Sequence, residues 1–459
     1  MSEGIAVSPA PVESPGTAAT LAWRLSPVAV ALGSLALSTI ALGSRSLTTA
    51  EAASLEAADR PLGTVISAIV HDEPGRAGHL LLLRLATTLG SDEWVIRLPS
   101  AIAVSLAAGL LVILGTMLLG RVAGIVAGVA LAANAGVVEA SREARPAALG
   151  ILGIVGATLL FLVALERGGG WRWVPYAIAA AILPLTHPLA AAVLAAHGAT
   201  LIARRDRADL RSAGIALVAG SAVATLLLGW MAVDRFDATS DDATLDLDSL
   251  GKGLAHVGGW NPILALAALA GLIVLFGPWR DPLGTWVGVL VAALIGAPIV
   301  ATLIAAVALP VHVDALVLGA PGVALAVGAV AIPLSPIRGL VAAGVAVLLL
   351  SSAITIAVRQ TADVDEDWRA LAAAVKQVKG PKETVVVLPE GSRAAFVYYA
   401  PSLATIRFAR GDGAWVAVRA SSADEAIEAS RSAVPTPRYA LLRQFRYGEG
   451  LRLQHWVRP

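Results

Sequence analysis

The sequence predicts an all-α polytopic membrane bundle of about eleven transmembrane helices with a small α/β domain at its C-terminal end, and three observations carry that prediction. The 459-residue chain is 57% hydrophobic and only 15% charged, with a mean hydropathy of +0.76, far from the composition of a soluble globular protein. Stretches of roughly 18 to 25 residues run without a charge, the length that crosses a hydrocarbon core as a helix. After residue 359 the composition shifts to a helical period in "DWRALAAAVKQVKG" and to strand-like runs in "ETVVVLP", "YALLRQF" and "LRLQHWV". The net charge of +1 gives no reason to expect nucleic acid as a partner, and the absence of cysteine excludes disulfides, thiolate metal sites and cysteine nucleophiles.

Residues 1–21 are polar, rich in Pro and Ser, and carry acids without a basic residue, so they read as a short disordered cytoplasmic tail and not a cleavable signal peptide. Spans are expected at 22–43, 99–119, 122–138, 147–165, 173–186, 188–203, 212–232, 261–277, 284–309, 315–334 and 339–358. With the N-terminus inside, alternate loops hold Arg121, Arg167 with Arg172, "RRDRADLR" (204–211), "PWRDP" (278–282) and "SPIR" (335–338), as the positive-inside rule requires. The opposite loops are 44–98, "EASREARP" (139–146), "THP" (186–188), the acidic loop 234–253, "PVHVD" (310–314) and the tail. The chain therefore divides into a tail (1–21), a transmembrane domain (22–359) with an external first loop (44–98), and an extracytoplasmic α/β domain (360–459). The expected location is the bacterial inner membrane, with the N-terminus cytoplasmic. In the first loop, "TVISAIV" and "GHLLLLRLATTLG" read as amphipathic helices lying along the membrane surface.

Every polar cluster thus falls on one face, and the spans hold almost no ionisable group, which argues against an ion-coupled transporter. His79, His197, His256 and His312 have no metal-ligand spacing and read as structural. Asp241, Asp242, Asp246 and Asp248 read as a solvated acidic loop.

Three segments, "GSDEWVIRLPSAIA" (90–103), "SREARPAALGI" (141–151) and "THPLAAAVLAAHGATLIARR" (186–205), with the later "DWRALAAAV" and "VVVLPEGSRAAFVYYAP", follow one another in a distinctive order. In this the chain resembles the GT-C membrane glycosyltransferases, specifically the actinobacterial mannosyltransferase-type relatives of the protein O-mannosyltransferases. The resemblance implies a GT-C bundle that moves a sugar from a polyprenyl-phosphate donor to a glycan, glycolipid or protein acceptor outside the membrane, with no cofactor beyond that donor. It also implies a first-loop Asp as general base, where this chain has Ala50 within "TAEA" (49–52). Asp72 matches a second acidic position, Gly78 and His79 replace a Tyr-Tyr pair, and Asp314-Ala315 stands where relatives carry Arg-Tyr.

Glycosyl transfer needs a carboxylate near the acceptor hydroxyl and cations for the departing phosphate. Glu51 and Asp72 are the first-loop candidates for the base, although Glu51 reads more readily as a supporting residue that caps the first-loop helix or holds Arg142 or Arg145. Arg142 and Arg145 break the positive-inside pattern and suit phosphate oxygens, with His187 as a further donor. Glu143 and Asp314 are supporting positions, and no metal ligands are assigned. Three readings follow: a transferase, a degenerate homologue that binds lipid-linked glycan or partners an active enzyme, and a lipid-linked glycan transporter.

Overall fold

The computed structural model describes residues 17–71, 76–168, 170–204, 210–233, 247–280, 283–308, 313–361, 366–435 and 438–459. Helix α1 (Thr17–Thr39) starts within the stretch expected to be a disordered tail. Three short helices, α2 (Thr49–Asp59), α3 (Leu62–His71) and α4 (Ala77–Thr87), make up the first loop. The bundle continues with α5 (Glu93–Leu119), α6 (Arg121–Ala133), α7 (Ala135–Ser141), α8 (Ala147–Arg167), α9 (Trp173–Thr186), α10 (Val193–Ala203), α11 (Leu210–Val233) and α12 (Leu247–Val257). It closes with α13 (Pro262–Phe276), α14 (Thr285–Ala308), α15 (Ala320–Ala329), α16 (Ala331–Leu334) and α17 (Arg338–Thr361).

Every stretch expected to span falls on a helix or a broken helix pair. Among the described residues, five helical segments are long and apolar enough to cross a membrane alone, and counting two bent pairs as spans makes seven. The bends lie between α6 and α7, at 60°, and between α12 and α13, at 74°. Asn134 and Asn261 stand at these breaks as N-caps, Asn134 accepting from the Val137 amide and Asn261 from those of Ile263 and Leu264. Most residues of the segment Ala315–Leu334 are buried inside the bundle, whereas few of those of Arg338–Thr361 are, so that helix lies on the periphery. Small residues permit this packing: a Cβ on Gly271 of α13 would fall 1.6 Å from the Ala326 carbonyl oxygen of α15.

The C-terminal domain has helices α18 (Trp368–Val378), α19 (Arg393–Tyr399) and α20 (Ala423–Arg431), and strands β1 (Glu383–Leu388), β2 (Gly413–Arg419), β3 (Ala440–Arg446) and β4 (Leu451–Val457). The sheet order is β1-β2-β4-β3, with β1 and β2 parallel and the other pairs antiparallel. Strand alternation gives each face its own core. Val385, Trp415, Ala417 and Leu453 pack with α18 and α19, while Val386, Val416 and Val418 pack with Ala426 of α20. Ala52 of α2 belongs to the first of these cores, so the first loop is built into the domain.

The end of the bundle that carries α2, α3, α4 and this domain is the crown. On α4, Leu80, Leu83 and Ala86 face inward while Leu81, Leu82 and Leu85 are exposed, as are Leu62 and Ile66 of α3. Those apolar faces suit the membrane interface.

Candidate functional site

The crown is organised around the first turn of α2. Thr48 and Glu51 form a capping box, in which the Thr48 hydroxyl accepts from the Glu51 amide and the Glu51 carboxylate accepts from the Thr48 amide. The carboxylate goes further. Its Oε1 also takes the Nε–H of Arg97 and the amide of Ala144, both at 2.8 Å, and its Oε2 takes Arg97 Nη2 at 2.9 Å as well as the Thr48 amide at 3.0 Å. All the acceptor sites of the group are occupied, and Glu51 is 1% exposed. Burial acts to raise its pKa, but the Arg97 bond and charge, with the Ala144 and Thr48 amides, hold it below the usual carboxylate range.

Arg97 is equally saturated. Beyond Glu51 it donates from Nη1 to the carbonyls of Leu42 and Arg45 and from Nη2 to that of Ser46, using all five guanidinium protons. The pair thus fixes the chain leaving α1, the start of α2 and the start of α5. The sequence reading placed Arg142 or Arg145 opposite Glu51; the structure places Arg97 there. Pro99 marked the expected start of that span, but α5 begins at Glu93, which brings Arg97 into its first turns.

A second carboxylate, Glu366, holds α2 from the domain side. It accepts from the amide and hydroxyl of Thr49 at 2.8 and 2.6 Å, from Trp368 Nε1 at 2.7 Å and from Arg419 at 2.7 Å. Tyr399 completes the joint, accepting from the Leu47 amide and donating to Glu93, and Arg84 caps the other end of α2 through the carbonyls of Ala58 and Arg60.

Beside this joint, Ala144 is a hub. Its amide serves Glu51, and His79 of α4 hydrogen-bonds to its backbone. His79 is buried, and its Nε2 has no partner among the described residues. Burial, Arg76 and Arg145 together push its pKa down to about 3. His187 lies in the same field: burial and Arg145 push it down to about 4. Its Nδ1 accepts from the Leu189 amide at 3.2 Å, which leaves the proton on Nε2 as a donor. Gly150 of α8 allows this turn to approach, since a Cβ there would lie 2.8 Å from the His187 Cβ. Arg76 also donates to Ser54 of α2.

Arg76, His79, Arg145 and His187 therefore form a cationic cluster with neutral imidazoles, bordered by Glu143, whose carboxylate is 3.5 Å from Arg145. Of the expected phosphate contacts, Arg145 and His187 belong to it. Arg142 is turned elsewhere, with Nη2 on the Leu37 carbonyl at 2.8 Å and Nε on that of Ser38 at 3.3 Å, closing the C-terminal end of α1. Asp72 lies outside the described residues, as does the side chain of Asp314; the backbone of Asp314 lies in a 3-10 turn, Val313–Gly319. Ala50 is exposed on α2. Arg76, Arg97 and the bond of His79 to the Ala144 backbone escaped the sequence reading. The signal available was a cation in each flank of the apolar α4 and α5.

The fold is that of the GT-C membrane glycosyltransferases, and the chain is a multi-pass membrane protein. Residues 76–230 match the family model of the dolichyl-phosphate-mannose-protein mannosyltransferases. The chain is similar to ArnT from Cupriavidus metallidurans in the apo state, with a TM-score of 0.57 and 14% identity over 95% of this chain and 98% of that one. It is similar to the same protein bound to undecaprenyl phosphate, with a TM-score of 0.54, 13% identity and the same coverage. The apo oligosaccharyltransferase of Archaeoglobus fulgidus gives a TM-score of 0.53 at 10% identity, over 82% of this chain and 64% of that one. No curated protein matches the chain by sequence.

Proposed function

We propose that the chain is a glycosyltransferase of the bacterial inner membrane that takes a hexose, with mannose the first to test, from a polyprenyl-phosphate donor. It passes the sugar to a cell-envelope acceptor on the crown side, which faces out of the cell. One observation carries this reading: at the crown of a GT-C fold Arg76 and Arg145 both act on His79, and Arg145 also acts on His187, which offers a ring N–H. Guanidinium groups and a neutral N–H donor suit a phosphate that gains charge as its bond to the sugar breaks. A protein of the same fold binds undecaprenyl phosphate, and the outward apolar faces of α3 and α4 suit the approach of such a lipid from the bilayer.

Glu51 has the role of an anchor in this reading. A carboxylate that already holds four donors has no acceptor site left for a hydroxyl proton. That observation, with Ala50 beside it, favours as second reading a degenerate homologue that binds the lipid without turning it over. The test is release of undecaprenyl phosphate from radiolabelled undecaprenyl-phosphate sugars by the purified protein in lipid nanodiscs, with alcohol, peptide and glycan acceptors. Turnover with one sugar supports the transferase; donor binding without turnover supports the second reading.

A further inference from the structure

We propose that one anionic phospholipid binds at the end of the bundle opposite the crown, its headgroup on Arg24, Arg121 and Arg338 and an acyl chain in the groove between α1, α6 and α17. The three helices run towards the crown. The last carbonyls of α1 are closed there by Arg142, α6 continues through α7 to Ser141, and α17 brings Arg359 to Glu139. Their first turns therefore gather at the far end, in the other leaflet.

Between them lies a groove of about 450 Å³, lined by Trp23 of α1, Val122 and Val126 of α6, and Val341, Val345 and Leu349 of α17 among others. Every side chain along it is apolar or aromatic. From Val341 to Leu349 it follows α17 for about 12 Å, against roughly 15 Å for the hydrocarbon of one leaflet. Helix α17 forms an open wall: its buried residues begin at Leu348, and Val341 and Val345 are only partly covered. Gly128 lets α1 and α6 close on each other, since a Cβ there would lie 3.3 Å from Val30 Cγ1.

The groove by itself would fit any hydrocarbon; the cations at its mouth select the headgroup. Arg338 shares the stripe of α17 that forms the wall, with Val341, Val345 and Leu349 following at helical spacing. Arg121 lies one turn before Ile125 and next to Val122, and Arg24 follows Trp23. All three are exposed, and none has a hydrogen bond, ion pair or ring contact among the described residues. Residues 17–45, 120–138 and 334–361 include no Asp or Glu, so no acid on these helices matches the charge. Other arginines of this end are engaged or stand apart. Arg172 donates to the Arg167 carbonyl and lies over Trp171, and Arg204 stacks on Trp286; Arg167 and Arg211 belong to α8 and α11, which do not line the groove. Three guanidiniums round one phosphate diester give charge-assisted hydrogen bonds at the water interface, a level that Trp23 also suits. A zwitterionic headgroup would bring its ammonium to the same cations. The phosphate of a polyprenyl donor belongs at the crown, the other end of these helices.

The test is native mass spectrometry of the full-length protein released from detergent, titrated with palmitoyl-oleoyl-phosphatidylglycerol or the matching phosphatidylcholine. One phosphatidylglycerol is expected to bind in preference. Removing all three cations in R24A/R121A/R338A is expected to lower its affinity roughly 100-fold, from about fivefold per arginine. The charge-conserving R24K/R121K/R338K variant should stay within about tenfold of wild type. A346F, which narrows the groove and leaves every charge in place, is expected to weaken binding by about fivefold or more. Equal affinity for phosphatidylcholine, or phosphatidylglycerol binding in the triple alanine variant within about threefold of wild type, overturns the proposal. Unchanged binding in A346F overturns the seating of the chain in the groove, and displacement of phosphatidylglycerol by equimolar undecaprenyl phosphate overturns the choice of occupant. None of these outcomes bears on turnover, so the transferase reading stands or falls separately.

Discussion

His197 in the bundle and His79 in the crown are both buried imidazoles, and their surroundings have opposite character. His197 has the Thr158 hydroxyl 3.1 Å from Nε2 and the Tyr176 hydroxyl 3.0 Å from Nδ1, and it stacks on Phe161 at 4.5 Å. Thr158 gives its own proton to the Ile154 carbonyl, so it accepts from Nε2, and Tyr176 donates to Nδ1. Each ring nitrogen is matched, and α8, α9 and α10 are pinned together. His79 keeps Nε2 without a partner among the described residues, beside two arginines. A satisfied polar cluster inside the membrane is architecture, whereas the neutral His79 ring in the crown keeps the lone pair of Nε2 unmatched among the described residues.

That contrast breaks or holds under four measurements. The largest effect is expected at the crown's anchor: E51Q or R97A leaves its partner buried and uncompensated, costing about 3–5 kcal/mol. Thermal unfolding of the purified variants in detergent checks this, and wild-type melting in E51Q would remove the anchor. Next, R145A with H187A is expected to weaken undecaprenyl phosphate binding by about 10²- to 10⁴-fold, from the loss of two charged hydrogen bonds worth about 1.5–3 kcal/mol each. R142A should cost less affinity than R145A, and equal losses would return Arg142 to the phosphate site.

H197A is expected to destabilise the bundle by about 1–3 kcal/mol through two hydrogen bonds and one stacked ring, with undecaprenyl phosphate binding unchanged. A binding defect in H197A would erase the distinction between the two histidines.

The last effect is on pH dependence. The ordinary imidazole pKa is 6.5, and in the folded protein His79 and His187 titrate only near 3 and 4. Between these values the unfolded chain binds more protons, so stability falls as pH drops from about 6.5 towards 4. Melting temperatures at pH 7 and pH 5 measure it, and H79N should flatten the slope.

The fold was legible because the signals it needs are local. Charge-free stretches, alternating runs after residue 359 and the Arg of each short loop are all read within a window of twenty residues or so. The site was legible only in part. "SREARP" and "THP" were visible as polar motifs between apolar stretches, but which arginine anchors α1 and which stands by the histidines was not. Arg142 and Arg145 are three positions apart with the same chemistry, and they end on opposite tasks because the α1 carbonyls lie near one and the α4 and α9 histidines near the other.

The sequence by itself determined that the chain spans a membrane many times, that a small α/β domain follows the bundle, and that its charges gather in the loops, since hydrophobic transfer depends on composition over a short window. Tertiary structure alone decided the fate of Glu51. Beyond the Thr48 cap three positions back, its partners lie 46 and 93 positions away along the chain, and a buried carboxylate binds whichever further donors the packed helices bring within 3 Å, a choice that no spacing in the sequence encodes.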